Sequence, residues 1–145
     1  MAEKIKLQVV TPERAVLHAY VDDVVLPGVK GQMDILPGHL PLLAALDVGQ
    51  LVASTEDGER HFLIDRGYAE VYEDEVTVLT EACEGADEID IEQAKRRLKE
   101  AREELERLED MSKSEEVEEE IFDRHRLAMK RQLMRMAFAE GDVES

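Results

Sequence analysis

From Glu88 to Glu140 the chain contains neither glycine nor proline, whereas all four of its prolines and six of its eight glycines lie before residue 85. Proline and glycine end helices and punctuate strands, so this division leaves few architectures open. The first part must be broken into short elements, and the second can run as long helices. The expected organisation is a β-domain over residues 1–84 followed by helices over residues 85–145.

The second part also specifies a pairing. Ile91, Ala94, Leu98, Ala101, Leu105 and Leu108 are spaced 3, 4, 3, 4, 3, an unbroken heptad seam. Asp90 is placed to cap this helix, with Gln93 completing a capping box. The helix ends over Glu109 to Ser112. Ser112-Lys113-Ser114-Glu115 offers a second capping box, opening a helix that runs to about Ala139, before Gly141 stops it. Two helices with a short link, sharing a seam, form an antiparallel hairpin. The second helix begins acidic, from Glu115 to Asp123, and turns basic at Arg124, Arg126, Lys130, Arg131 and Arg135. Its apolar residues fall on two faces: Met129, Leu133 and Met136 on one, Leu127, Met134 and Phe138 roughly opposite.

The first part reads as short strands. Lys4 to Val9 alternates polar and apolar residues at the strand period. Val16 to Tyr20 and Asp23 to Leu26 follow, closed by Pro27-Gly28. Glu56-Asp57-Gly58-Glu59 and Glu73-Asp74-Glu75 each separate two strand-like runs, as hairpin turns do. Between these lies Ile35 to Leu46, which has no charged residue in a chain that is 37% charged. Pro37-Gly38 suits the centre of a type II turn, and residues preceding Pro37 and Pro41 stay extended, giving a pinned apolar corner that packs toward the core.

Several functions are excluded by composition. A net charge of −17 opposes nucleic acid or an anionic membrane as the main partner. The single cysteine, Cys83, can form no internal disulfide, which suits a reducing compartment. The N-terminus has no signal-peptide core, and the uncharged stretch falls short of the roughly 20 apolar residues of a membrane span. His18, His39, His61 and His125 have no metal-ligand spacing, and Gly28-Val29-Lys30-Gly31 lacks the pattern of a phosphate loop. No catalytic residues and no metal site are expected.

Gly31-Gln32-Met33-Asp34-Ile35-Leu36-Pro37-Gly38-His39-Leu40-Pro41-Leu42-Leu43 is similar to the Gly-x-x-Gly-x-x-Pro-Gly-His-x-Pro-Leu-Leu signature of the epsilon subunit of bacterial F-type ATP synthases. Gly67-Tyr68-Ala69-Glu70-Val71 and Glu75 to Leu79 match the same family, and the resemblance spans residues 3 to about 138. Asp34 replaces the second glycine, and Arg66 stands where the family often has a glycine.

The resemblance implies a β + α fold, with an N-terminal ten-stranded β-sandwich before the antiparallel two-helix hairpin. It implies a non-catalytic rotor subunit that couples proton flow to ATP synthesis and restrains ATP hydrolysis. The sandwich would dock on the gamma subunit and the c-ring loops near Lys30, Gly31, Gln32, Met33 and His39. The C-terminal helix would enter the alpha/beta hexamer, its basic face of Arg124, Arg126, Lys130, Arg131 and Arg135 meeting acidic residues. The location implied is the cytoplasmic face of the inner membrane, by attachment without insertion.

Some members bind ATP through Ile/Leu-Asp-x-x-Arg-Ala. Ile89, Asp90 and Ala94 match that motif, but Gln93 replaces the arginine and removes a cation from a phosphate site, so weak or absent ATP binding is expected. The alternative reading is a binding module whose acidic hairpin regulates another enzyme.

Overall fold

A computed structural model describes residues 3–141 of the chain. It has two compact units that part between Ala86 and Asp87. The first holds ten strands: β1 (Ile5–Val10), β2 (Ala15–Val21), β3 (Asp23–Gly28), β4 (Gly31–Ile35), β5 (Leu42–Leu46), β6 (Gly49–Thr55), β7 (Gly58–Ile64), β8 (Gly67–Tyr72), β9 (Glu75–Thr80) and β10 (Cys83–Glu84). They hydrogen-bond in the order β10-β7-β6-β3-β5-β8-β9-β1-β2, with β4 paired to β3. Pairing is antiparallel except between β1 and β9.

The period-two pattern explains which side faces in. Ile5, Leu7 and Val9 are fully buried, while Lys6 and Gln8 between them are only half-buried. The same alternation in β3, β8 and β9 sends Val24, Leu26, Ala69, Val71, Val76 and Val78 into one core with Ile35, Leu51 and Ile64. Each buried valine, leucine or isoleucine there contributes roughly 1.5–3 kcal/mol of burial.

Strand β3 joins the two halves of the sandwich. Its first residues pair with β6, whereas Gly28 pairs with Leu46 of β5. Pro27 lacks an N–H, but its carbonyl accepts from Asp47 N at 2.8 Å, and Val29 N donates to Ala45 O at 3.0 Å. The Pro27-Gly28 pair therefore lies within the strand, where the chain passes from one half to the other.

The corner after β4 is a turn of the expected type. Gly38 has φ +83°, and His39 N donates to Leu36 O at 3.1 Å. Asp74 in the β8–β9 turn accepts from Gly38 N at 2.7 Å and so fixes the corner. The expectation that this stretch packs toward the core is only partly met. Ile35 and Leu46 at its ends are buried, but Leu36, Leu40 and Leu43 are 52%, 79% and 70% exposed. Leu42–Leu46 forms a strand with one face outward, so alternate leucines must leave the core.

In the second unit, α1 (Ile91–Ser112) and α2 (Glu119–Glu140) pack as a hairpin. Asp90 caps α1 by accepting from Gln93 N at 3.0 Å, as expected. Ala94, Leu98, Ala101 and Leu108 of the heptad seam are buried. Gly141 in the left-handed region, with φ 77°, terminates α2.

The start of α2 differs from expectation. Ser112 Oγ donates to Glu109 O and Ser114 Oγ to Met111 O, so both hydroxyls serve the carbonyls that end α1. Neither caps α2, which begins later, behind Glu118 and with no side-chain cap.

Candidate functional site

Two surfaces stand out, one on each unit. On the sandwich, register places apolar side chains in rungs across the outer face of β5, β8, β9, β1 and β2. Ala45 lies opposite Tyr68, Tyr68 opposite Leu79, and Leu79 opposite Val10. Tyr72, Glu75, Lys6 and Tyr20 form a second rung, in which a carboxylate and an ammonium separate the two tyrosines. Leu43 sits on the same face opposite Glu70. Tyr68, Leu79, Tyr20 and Tyr72 are 58%, 53%, 64% and 56% exposed. Scattered exposed apolar residues are ordinary, but rungs of tyrosine and leucine across neighbouring strands mark an interaction surface.

The five residues expected at one interface are divided. Lys30 and Gly31 lie exposed at the β3–β4 turn, with Gln32 beside them. Met33 packs against the core. His39 is exposed in the corner beyond the other end of β4, about 16 Å along a strand of that length.

Near this end Asp34 faces outward. Desolvation pushes its carboxyl above the ordinary carboxylate value, and hydrogen bonding and charge from Asp23 push the same way, against a smaller opposing effect of His39.

On the hairpin, the buried side of α2 follows Phe122, His125, Met129, Gln132 and Met136, a 3, 4, 3, 4 spacing. Phe122 and Gln132 are buried and the others half-buried. From the sequence, Met129 and Met136 share one face but the rest of this seam is not legible, because two of its members are polar. Leu133, which looked like a seam residue, is 45% exposed. A groove of about 450 Å³ between the helices is lined by Arg97, Glu100, Glu104, His125 and Gln132 among others.

The basic residues of α2 are not equivalent. Arg124 and Lys130 are exposed. Arg126 Nη1 donates to Glu119 at 2.6 Å and to Asp123 at 2.9 Å, and its guanidinium lies 5.5 Å from the centre of the Phe122 ring. Half-buried Arg135 donates to Gln132 Oε1 at 2.9 Å and across to Gln93 Oε1 at 3.3 Å. Lys130, Arg131 and Arg135 have further interactions with their surroundings.

The three residues matching the ATP motif have structural tasks. Ile89 is buried, Asp90 caps α1, and Ala94 is fully buried in the seam. Among the described residues no cluster of His, Cys, Asp and Glu could hold a metal ion, and no helix is long and apolar enough to cross a membrane.

Residues 4–86 match the family model of the ATP synthase delta/epsilon chain β-sandwich domain. The ATP synthase epsilon chain of Geotalea uraniireducens is 41% identical over 129 residues, covering 89% of this chain and 94% of the relative. That of Carboxydothermus hydrogenoformans is 49% identical over 107 residues, 74% of this chain and 80% of the relative. That of Geobacter metallireducens is 40% identical and covers 96% of both chains.

Among solved structures, a chain of the Euglena gracilis mitochondrial ATP synthase (OSCP/F1/c-ring) superposes with TM-score 0.69 at 24% identity, covering 90% of this chain and 78% of that one. A chain of the Tetrahymena thermophila mitochondrial ATP synthase central stalk and c-ring gives 0.54 at 11% identity, covering 97% and 98%. At those identities the two structures speak to the fold. The family model and the bacterial relatives go further: this chain belongs to the epsilon chains of the bacterial ATP synthases.

Proposed function

We propose that the chain is a non-catalytic rotor subunit in the central stalk of a proton-translocating F-type ATP synthase. The sandwich docks on the gamma subunit and meets the c-ring loops, coupling proton flow to ATP synthesis. The helices restrain ATP hydrolysis, with α2 able to enter the alpha/beta hexamer. The chain is held at the cytoplasmic face of the inner membrane by its partners, as a peripheral component.

The observation that carries this reading is the apolar outer face of Leu43, Ala45, Tyr68 and Leu79. Such a face loses contact with water when a subunit covers it, and tyrosines favour interfaces because an apolar ring and a polar hydroxyl are both used. Lys30, Gly31 and Gln32 at the β3–β4 turn, and His39 in the corner, are exposed positions suited to contacts at the two ends of this sheet region. Met33 contributes from the core side by holding the hairpin in shape.

The test is co-purification from solubilised membranes with a chain carrying Tyr68→Glu and Leu79→Glu. Both side chains point to solvent, so the sandwich should fold and fail to co-purify with gamma. A folded double variant that still assembles would overturn the assignment of this face.

A further inference from the structure

We propose that Gln93, Arg135 and Gln132 form a clasp that holds the open end of the helical hairpin shut and sets how readily α2 departs. The proposal deepens the reading of α2 as a mobile element. It rests on how the hairpin is closed at its two ends. At one end the helices are covalently joined by the segment between Ser112 and Glu119. At the other, the first turn of α1 meets the last turns of α2, and no covalent link holds them. Separation must start there, because opening at the joined end would require both helices to move together.

At this open end the guanidinium of Arg135 bridges the two helices. One nitrogen donates to Gln93 Oε1 of α1 and the other to Gln132 Oε1 of α2. The geometry makes each glutamine's role distinct. Gln132 is buried three residues before Arg135 on the same helix, so its hydrogen bond holds the guanidinium from α2's own side. Gln93 provides a cross-helix contact. Its backbone N–H is already held by Asp90, which fixes the side chain's starting point.

A polar residue in a seam costs packing stability and gives register in return. Gln132 carries that cost, and with it the hairpin gains a contact that can be broken without disturbing the apolar seam. The bond to Gln93 joins a charged donor to a neutral acceptor, so it holds the helices with less force than an ion pair would. That strength suits a contact meant to release.

The test uses the full chain and native-state hydrogen exchange of the amides of α2. Gln93→Leu removes the acceptor with a side chain one bond shorter, and leaves the capped backbone N–H in place. It should speed exchange of the Arg131–Ala139 amides roughly three- to tenfold, the range expected for one partly exposed hydrogen bond to a charged group. Amides between Phe122 and Ala128 should change little. Gln93→Glu should slow the same Arg131–Ala139 amides, because a carboxylate pairs more strongly with Arg135.

Unchanged exchange in Gln93→Leu, acceleration spread evenly over both helices, or acceleration in Gln93→Glu would overturn the clasp. These readouts need neither gamma nor the hexamer. A failure here therefore leaves the docking test untouched, and a failure of docking leaves the clasp standing.

Discussion

At Arg66 the backbone has φ 44°, in the left-handed region. A non-glycine residue there costs about 1–2 kcal/mol. Its ion contact with Asp65 at 3.7 Å is long and half exposed, so it returns little. Arg66→Gly should therefore stabilise the sandwich by about 0.5–1 kcal/mol, read as a higher urea midpoint at unchanged slope. The next residue allows no such freedom: a Cβ on Gly67 would lie 1.8 Å from the carbonyl oxygen of Leu79.

Asp34 gives a second residue-scale expectation, with a pH dependence. Its carboxyl is raised above the ordinary 3.8, first by desolvation and then by Asp23. The folded state thus holds this proton more tightly than the unfolded chain does. The associated stability is present below the ordinary carboxylate value and is lost as pH rises through the raised one. Asp34→Asn should be more stable than the parent at pH 7, and this advantage should vanish on acidification below the ordinary value. Urea unfolding at both pH values checks it; an advantage that grows with acid would refute the sign.

At the scale of elements, the sequence was most informative where one physical rule acted alone. The α1 seam is made of Ala and Leu at heptad spacing, and Ala94, Leu98, Ala101 and Leu108 are buried as that spacing requires. The Pro37-Gly38 turn was equally legible, because only a positive φ at its third position satisfies the geometry. Legibility failed where two rules competed. Ser112 and Ser114 carry the signature of a capping box, yet their hydroxyls reach back to the carbonyls ending α1. The α2 seam was legible only in Met129 and Met136, because His125 and Gln132 occupy positions usually apolar. The outer face of the sandwich escaped notice, since exposed leucines and tyrosines on alternate strand positions resemble core residues until register is known. The missing cap on α2 makes a prediction of its own. Glu118 has an extended backbone and no side-chain bond to the helix. Glu118→Ser should supply one and stabilise α2 by roughly 0.5–1 kcal/mol, seen as a higher melting temperature of the helical circular dichroism signal. No change in melting would mean that the start of α2 frays regardless of its cap.

For the molecule as a whole, the proposed restraint on hydrolysis asks α2 to exchange one set of partners for another. The present partners of Arg126 leave its part of that exchange unhindered. Arg126 is held by Glu119 and Asp123, both on its own helix, and all three are exposed, so solvent screens the pairs. Those carboxylates travel with the helix, so leaving the hairpin does not break these pairs. They are instead displaced when a denser acidic surface is met. The half-buried methionines Met129, Met134 and Met136 suit the same transfer, because flexible thioether side chains adapt to different packing surfaces. Replacing Arg126, Lys130 and Arg131 with Ala, and leaving Arg135 to hold the clasp, should keep the hairpin folded. In the assembled enzyme this variant should hydrolyse ATP faster than the parent. Raising salt from low to about 0.5 M should narrow the difference, because screening weakens exposed charge contacts in the parent as well. Hydrolysis equal to the parent's at low salt, in an assembled enzyme whose α2 is intact by circular dichroism of the isolated chain, would rule out this face as the inhibitory element. Faster hydrolysis that persists unchanged at high salt would instead assign the restraint to the apolar residues of α2, with the cations serving only to orient it.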